Sequence, residues 1–101
     1  SVCGVRGIRE LEGVHFDLLL LGATSYSPEA GFLCGVEEEA ILKQTVLRRA
    51  EHVAVLLDSS KLDRQSTFRI CGLDEVDTIV SDGRLPKEFL EKCREHGVAV
   101  L

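Results

Sequence analysis

The sequence predicts an α/β domain in three αβα layers, with a mainly parallel sheet between helices. Three observations predict it. Two apolar runs, the four leucines Leu18–Leu21 of the stretch Phe16–Leu21 and Val53–Leu57, show none of the alternation of a half-exposed strand. Unbroken runs of that length are typical of strands covered on both faces. Helical periodicity follows the first run and recurs near the end of the chain. Strands that alternate with helices, with no hairpin signal between them, require crossover connections and pair in parallel.

The elements follow in order. Val5, Ile8 and Leu11 lie at helical spacing with charges on the other face, so the chain opens on a short amphipathic helix stopped by Gly13. The first strand is Phe16–Ala23. Leucine favours strands less than valine or isoleucine does, but the short run and Gly22 support a strand. Thr24–Gly35 holds serines, Pro28, Gly31 and Gly35, and reads as a loop. It is long for a strand-to-helix connection, and such loops are often functional. Glu37, Glu38 and Glu39 then open a helix, because acids suit the positive end of its dipole. Its apolar face is Val36, Ala40, Leu47 and Ala50.

The second strand, Val53–Leu57, runs into Asp58-Ser59-Ser60-Lys61. A polar loop, Leu62–Ser66, leads to a short edge strand at Thr67–Cys71, and Leu73–Val76 makes one helical turn or tight loop. A strand over Asp77–Val80 ends near Asp82-Gly83, a turn signal. Pro86 suits the first turn of a helix whose apolar stripe is Phe89, Leu90 and Cys93. Gly97 stops it, and Val98–Leu101 forms a last strand.

Composition narrows the function. A chain of 101 residues is one domain or part of one, and 45% hydrophobic with 29% charged residues suits a folded globule. A net charge of −5 argues against gripping nucleic acid or an anionic membrane by bulk electrostatics. No apolar run approaches the ~20 residues of a membrane span, and no signal peptide order is present. Cys3, Cys34, Cys71 and Cys93 are widely spaced with no Cys-x-x-Cys pair, so they read as reduced thiols in a cytoplasmic protein without a zinc site. His15, His52 and His96 fall at helix or loop edges as surface or capping residues. No residues form a catalytic, metal or cofactor constellation.

Chemistry is concentrated at strand ends, where open parallel sheets bind ligands. Lys61 can hold a phosphate or carboxylate as a point charge, with Ser59 and Ser60 adding hydrogen bonds. Asp58 can accept from a sugar hydroxyl or hold Lys61 in place. The same residues also suit a solvated Asx-turn. Gly22-Ala23 permits close backbone approach, though without the glycine spacing of a dinucleotide site or the ending of a P-loop.

The ordered set Phe16-Asp17, Gly22-Ala23, Glu39-Ala40 with Lys43, Leu57-Asp58-Ser59-Ser60-Lys61 and Val76–Asp82 resembles the C-terminal sensor domain of DeoR-family bacterial transcriptional regulators. The Asp-x-Ser-Lys element is shared with ribose-5-phosphate isomerase and related sugar-phosphate binders. The resemblance implies a partial sensor domain over residues 1–101, the C-terminal part of a larger Rossmann-like domain. A DNA-binding winged helix-turn-helix would lie outside this chain. It also implies a phosphorylated sugar or related metabolite as effector, modulation of DNA binding in a repressor, and self-association into a homo-oligomer. Carried onto these residues, the effector site comprises Asp58, Ser60 and Lys61, with Gly22 and Ala23 as its floor and Lys43 beside it. A sugar-phosphate isomerase fragment is the alternative. Those enzymes carry a Lys-Gly-rich loop ahead of the corresponding helix, where this chain has Gly31-Phe32-Leu33-Cys34-Gly35-Val36. A third reading is an interaction domain with no small ligand.

Overall fold

The computed structural model describes residues 13–62 and 65–101. The helix expected over Val5–Leu11 lies outside them, as do Asp63 and Arg64 of the expected polar loop. The described elements are β1 (Phe16–Gly22), β2 (Ser25–Ser27), β3 (Gly31–Cys34), α1 (Glu37–Leu47), β4 (Ala50–Leu57), β5 (Phe68–Cys71), β6 (Thr78–Ser81), α2 (Lys87–Glu95) and β7 (Ala99–Val100). Short 3-10 turns follow β4, at Ser59–Lys61, and β5, at Leu73–Glu75.

Four strands form a parallel sheet in the order β1-β4-β6-β7. This is the mainly parallel central sheet that the two apolar runs and the intervening helix predict. Asp77 aligns β6 on β4: its Oδ2 accepts from Val53 N at 2.8 Å, and its own N–H donates to the Val53 carbonyl at 2.9 Å.

The loop expected at Thr24–Gly35 is instead a hairpin. β2 pairs antiparallel with β3, and β3 with β5, in a separate three-stranded sheet. Strands of three and four residues are too short to show periodicity, and Pro28 and Gly31 punctuate them as a loop would be punctuated. Burial drives the hairpin. Phe32 is 1% exposed, and Tyr26 packs between Phe32, with ring centroids 4.8 Å apart, and Phe89 of α2, at 5.1 Å. The turn is closed by Ala30 N donating to Ser27 Oγ at 3.2 Å, and Gly31 takes a φ of +83°. The expected strand at Thr67–Cys71 is present as β5, at the edge of this small sheet.

β4 begins at Ala50, so the residue expected on the last turn of the preceding helix starts a strand. Residue preference alone favoured the helix, but pairing prevails: Ala50 and His52 register with Phe16 and Leu18, and Phe16 N donates to the Arg49 carbonyl at 2.8 Å. His52 therefore sits within a strand and not at a helix or loop edge. Its Nε2 lies 2.8 Å from Thr78 Oγ1 of β6. His96 caps α2 as expected, and Gly97 follows with a φ of +72°. Val98 N donates to the Cys93 carbonyl at 2.8 Å and Gly97 N to Arg94 at 3.2 Å, the paired bonds of a glycine-terminated helix.

One face of the parallel sheet carries the core. Leu21, Val53, Val55, Leu57 and Ile79 pack in a single cluster with Ala40 and Leu47 of α1 and Phe89 and Cys93 of α2. The other face differs from the expectation of strands covered on both sides. Leu18, Leu20 and Leu56 are 55%, 58% and 49% exposed. Successive side chains of a strand point to opposite faces, so a run of leucines supplies an apolar residue to each face whether or not something covers it.

Candidate functional site

Parallel pairing brings the carboxyl ends of β1, β4 and β6 to one rim, as the strand order predicts. Gly22 registers with Leu56, and Leu57 with Ser81. Gly22-Ala23, Asp58–Lys61 and Asp82-Gly83 leave the sheet from there.

The Asp58–Lys61 segment is a tight turn organised by its own side chains. Asp58 Oδ1 accepts from Ser60 N at 2.9 Å and also from Ser60 Oγ in a short bond. Lys61 N donates to the Asp58 carbonyl at 3.1 Å. The Ser60 hydroxyl bond is the main influence holding the Asp58 carboxyl below its ordinary range, and Lys61's charge adds to it. Leu62 then bridges to Tyr26 of β2. The Asx-turn that the residue types allow is therefore present, and it holds Asp58, Ser60 and Lys61 on a single loop.

Asp82 joins this turn to the neighbouring strand. Its Oδ2 accepts from Ser59 N at 3.3 Å and Ser59 Oγ at 3.2 Å, and its Oδ1 from Arg84 N at 3.0 Å. The Arg84 bond, followed by those from Ser59, holds the Asp82 carboxyl below the ordinary range. The sequence marks Asp82-Gly83 as a turn at a strand end and assigns Asp82 no role. The signal available was an acid one step beyond a short strand.

Lys43 also reaches the rim, from α1. Its Nζ donates to the Gly22 carbonyl at 2.8 Å, so one of its three donors serves the end of β1. A Cβ built on Gly22 meets nothing within 4 Å, and Ala23 is half-buried. The six expected residues thus occupy one rim, arranged as an open shelf. None of the six lines the cavities beside them, though one of these reaches Ser81 and Gly83 at the end of β6. One, of about 210 Å³, is lined by Tyr26, Leu62 and Phe89, and another, of about 310 Å³, by Ser81, Leu85 and Leu101.

Among the described residues, no group of three or more His, Cys, Asp and Glu side chains could hold a metal ion. No described helix is long and apolar enough to cross a membrane. Cys34, Cys71 and Cys93 are buried free thiols. Burial pushes the Cys71 thiol up to about 12, which leaves it protonated at neutral pH.

A mainly parallel α/β sheet with polar turns at its carboxyl rim defines the class, an open-sheet α/β domain. A sequence profile of the DeoR C-terminal sensor domain matches residues 1–83. The chain belongs to that family. It is 35% identical over its full length to a candidate aga operon transcriptional repressor of Escherichia coli O157:H7, and covers 38% of that protein. It is 34% identical over 90% of its length to the HTH-type transcriptional regulator GlpR of Haloferax volcanii, covering 36% of it. The HTH-type transcriptional repressor GlcR of Bacillus subtilis is 33% identical over 93% of the chain, which covers 36% of that relative. The chain thus spans little more than a third of the regulators it matches.

Proposed function

We propose that this chain is the C-terminal part of the effector-sensing domain of a transcriptional repressor, and that it binds a phosphorylated sugar or related metabolite at the sheet rim. The observation that carries this reading is the rim itself, in a chain of the DeoR sensor family. Asp58, Ser60 and Lys61 are fixed on one turn at the carboxyl end of β4, beside Gly22 at the end of β1. In the proposed complex Lys61 faces the phosphate, a point charge meeting an anion. The Ser60 hydroxyl donates to the ligand once it exchanges from Asp58, and Asp58 accepts from a sugar hydroxyl. Gly22 and Ala23 form the floor. Lys43 steadies that floor through the Gly22 carbonyl.

The rest of the site, and a winged helix-turn-helix that reads DNA, belong to the remainder of a longer protein, as the relatives' lengths and HTH-type names suggest. Effector binding would change the affinity of that module for DNA in a cytoplasmic homo-oligomer. The reading assigns the chain no catalysis.

A thermal-shift screen of the full-length protein against pentose and hexose phosphates tests this. At least one should raise the melting temperature, and Lys61→Ala should reduce that shift and the effector response of DNA binding. If none of the sugar phosphates shifts melting, or if Lys61→Ala changes nothing, the assignment fails.

A further inference from the structure

We infer that Asp82 is a positioning residue of the rim site, setting where the Asp58–Lys61 turn stands through Ser59 and without touching the ligand. The inference rests on the function proposed above.

The argument starts where the sheet stops. Leu57 and Ser81 are the last paired residues of β4 and β6, so no backbone ladder holds the chain beyond them. The bonds from Ser60 to Asp58 and from Lys61 N to the Asp58 carbonyl shape the turn internally. They do not fix its place relative to the sheet. Two contacts do. At its exit Leu62 bridges to Tyr26. At its start Ser59 donates through both its N–H and its hydroxyl to one oxygen of Asp82. The other Asp82 oxygen accepts from Arg84 N, which anchors the carboxylate to its own loop. Asp82 is thus a two-sided fastener between the ends of β4 and β6, with each oxygen committed to a different segment. An Asn side chain has a single acceptor oxygen and cannot accept from both Ser59 N and Arg84 N. Both Asp82 oxygens are already engaged, by Ser59 and by Arg84 N, and its charge would repel the ligand's phosphate. Holding the Ser59 donors costs no such repulsion.

The experiment measures affinity by titration calorimetry on full-length protein. The probe is whichever pentose or hexose phosphate raises the melting temperature most. Asp82→Asn is expected to weaken binding about 10-fold, the order of one charge-assisted hydrogen bond exchanged with water, while the ligand-free variant still melts cooperatively. Ser59→Ala should weaken it in the same direction but less, and the double variant should be no weaker than Asp82→Asn, because the Ser59 hydroxyl acts through Asp82. Glu91→Gln, on an exposed position of α2, is the control and should leave affinity unchanged. Additive losses would show that Asp82 meets the ligand itself and would overturn the inference. So would an Asp82→Asn variant that binds normally while Lys61→Ala does not, although the site would then stand. If neither Lys61→Ala nor Asp82→Asn alters binding, or if no sugar phosphate binds, the site reading fails and this inference fails with it. Should Asp82→Asn not fold, Ser59→Pro, which removes the N–H and the hydroxyl together at the first position of the turn, takes its place, and normal binding by it refutes the inference.

Discussion

Gly31→Ala should be among the most damaging single-methyl additions in this domain, and a matched glycine shows why. Gly31 has a φ of +83° and Gly83 a φ of +79°. Alanine at either position carries the same backbone penalty, about 1–2 kcal/mol for a left-handed conformation. Space separates the two. A Cβ at Gly83 meets nothing within 4 Å, whereas at Gly31 it falls on the Cys71 carbonyl oxygen, with Gly72 Cα at 3.1 Å and the Cys71 carbonyl carbon at 3.2 Å. Those neighbours are backbone and cannot rotate away. β3 must withdraw from β5, and that strains the Phe32–Cys71 rung. Overpacking of this kind costs about 1–3 kcal/mol. The total is about 2–5 kcal/mol for Gly31→Ala against about 1–2 for Gly83→Ala. In a domain of the size the relatives imply, calorimetry should show a fall in Tm on the order of 10 °C for the first and about 4 °C for the second. Equal shifts for the two variants would refute the claim that close packing of β3 on β5 governs the site.

Other predictions rest on separate contacts. Asp77→Ala leaves the Val53 N–H without its 2.8 Å partner, and should lower stability by about 1–2 kcal/mol, read as a shift in denaturant midpoint at unchanged slope. Asp58 and Asp82 are both held below the ordinary carboxylate value of 3.8. The folded form therefore takes up these protons less readily than the unfolded chain. Their stabilising contribution is complete above that ordinary value and is lost as pH falls through the depressed folded values. Paired Asp58→Asn and Asp82→Asn substitutions should flatten the acid limb of the stability profile, and an unchanged limb would refute it. Cys71, with its thiol raised to about 12, should resist iodoacetamide at pH 8 in the native protein and react once unfolded, as peptide mass spectrometry would show.

The strands and the rim were legible because their signals are local. Val53–Leu57 running into Asp58-Ser59-Ser60-Lys61 shows both a strand and its polar tip in nine residues. Glu37–Glu39 marks a helix start through charge alone. The β2–β3 hairpin was not legible, since Tyr26 and Phe32 form strands by packing on each other and on Phe89, which lies far away in sequence. The start of β4 was hidden for a similar reason: Ala50-Glu51-His52 prefers a helix until β1 is available to pair with it. The fastening role of Asp82 depends on Ser59, in a different strand's exit loop, and no spacing along the chain encodes that bond. The run Leu18–Leu21 shows how apolar the strand is but not which side is covered.

The strand order β1-β4-β6-β7 advances in one direction and never doubles back. In open α/β sheets the ligand crevice forms at the topological switch point, where two neighbouring strands send their connections to opposite faces. The described strands contain no such reversal. The free edge of β1 is where one would fit, next to Gly22 and one strand away from Lys61. A crevice there would be split lengthwise between this chain's rim and a strand on the far side of β1. Such a split would suit the open shelf that the six rim residues form. In that arrangement the six rim residues would form one wall of the cleft.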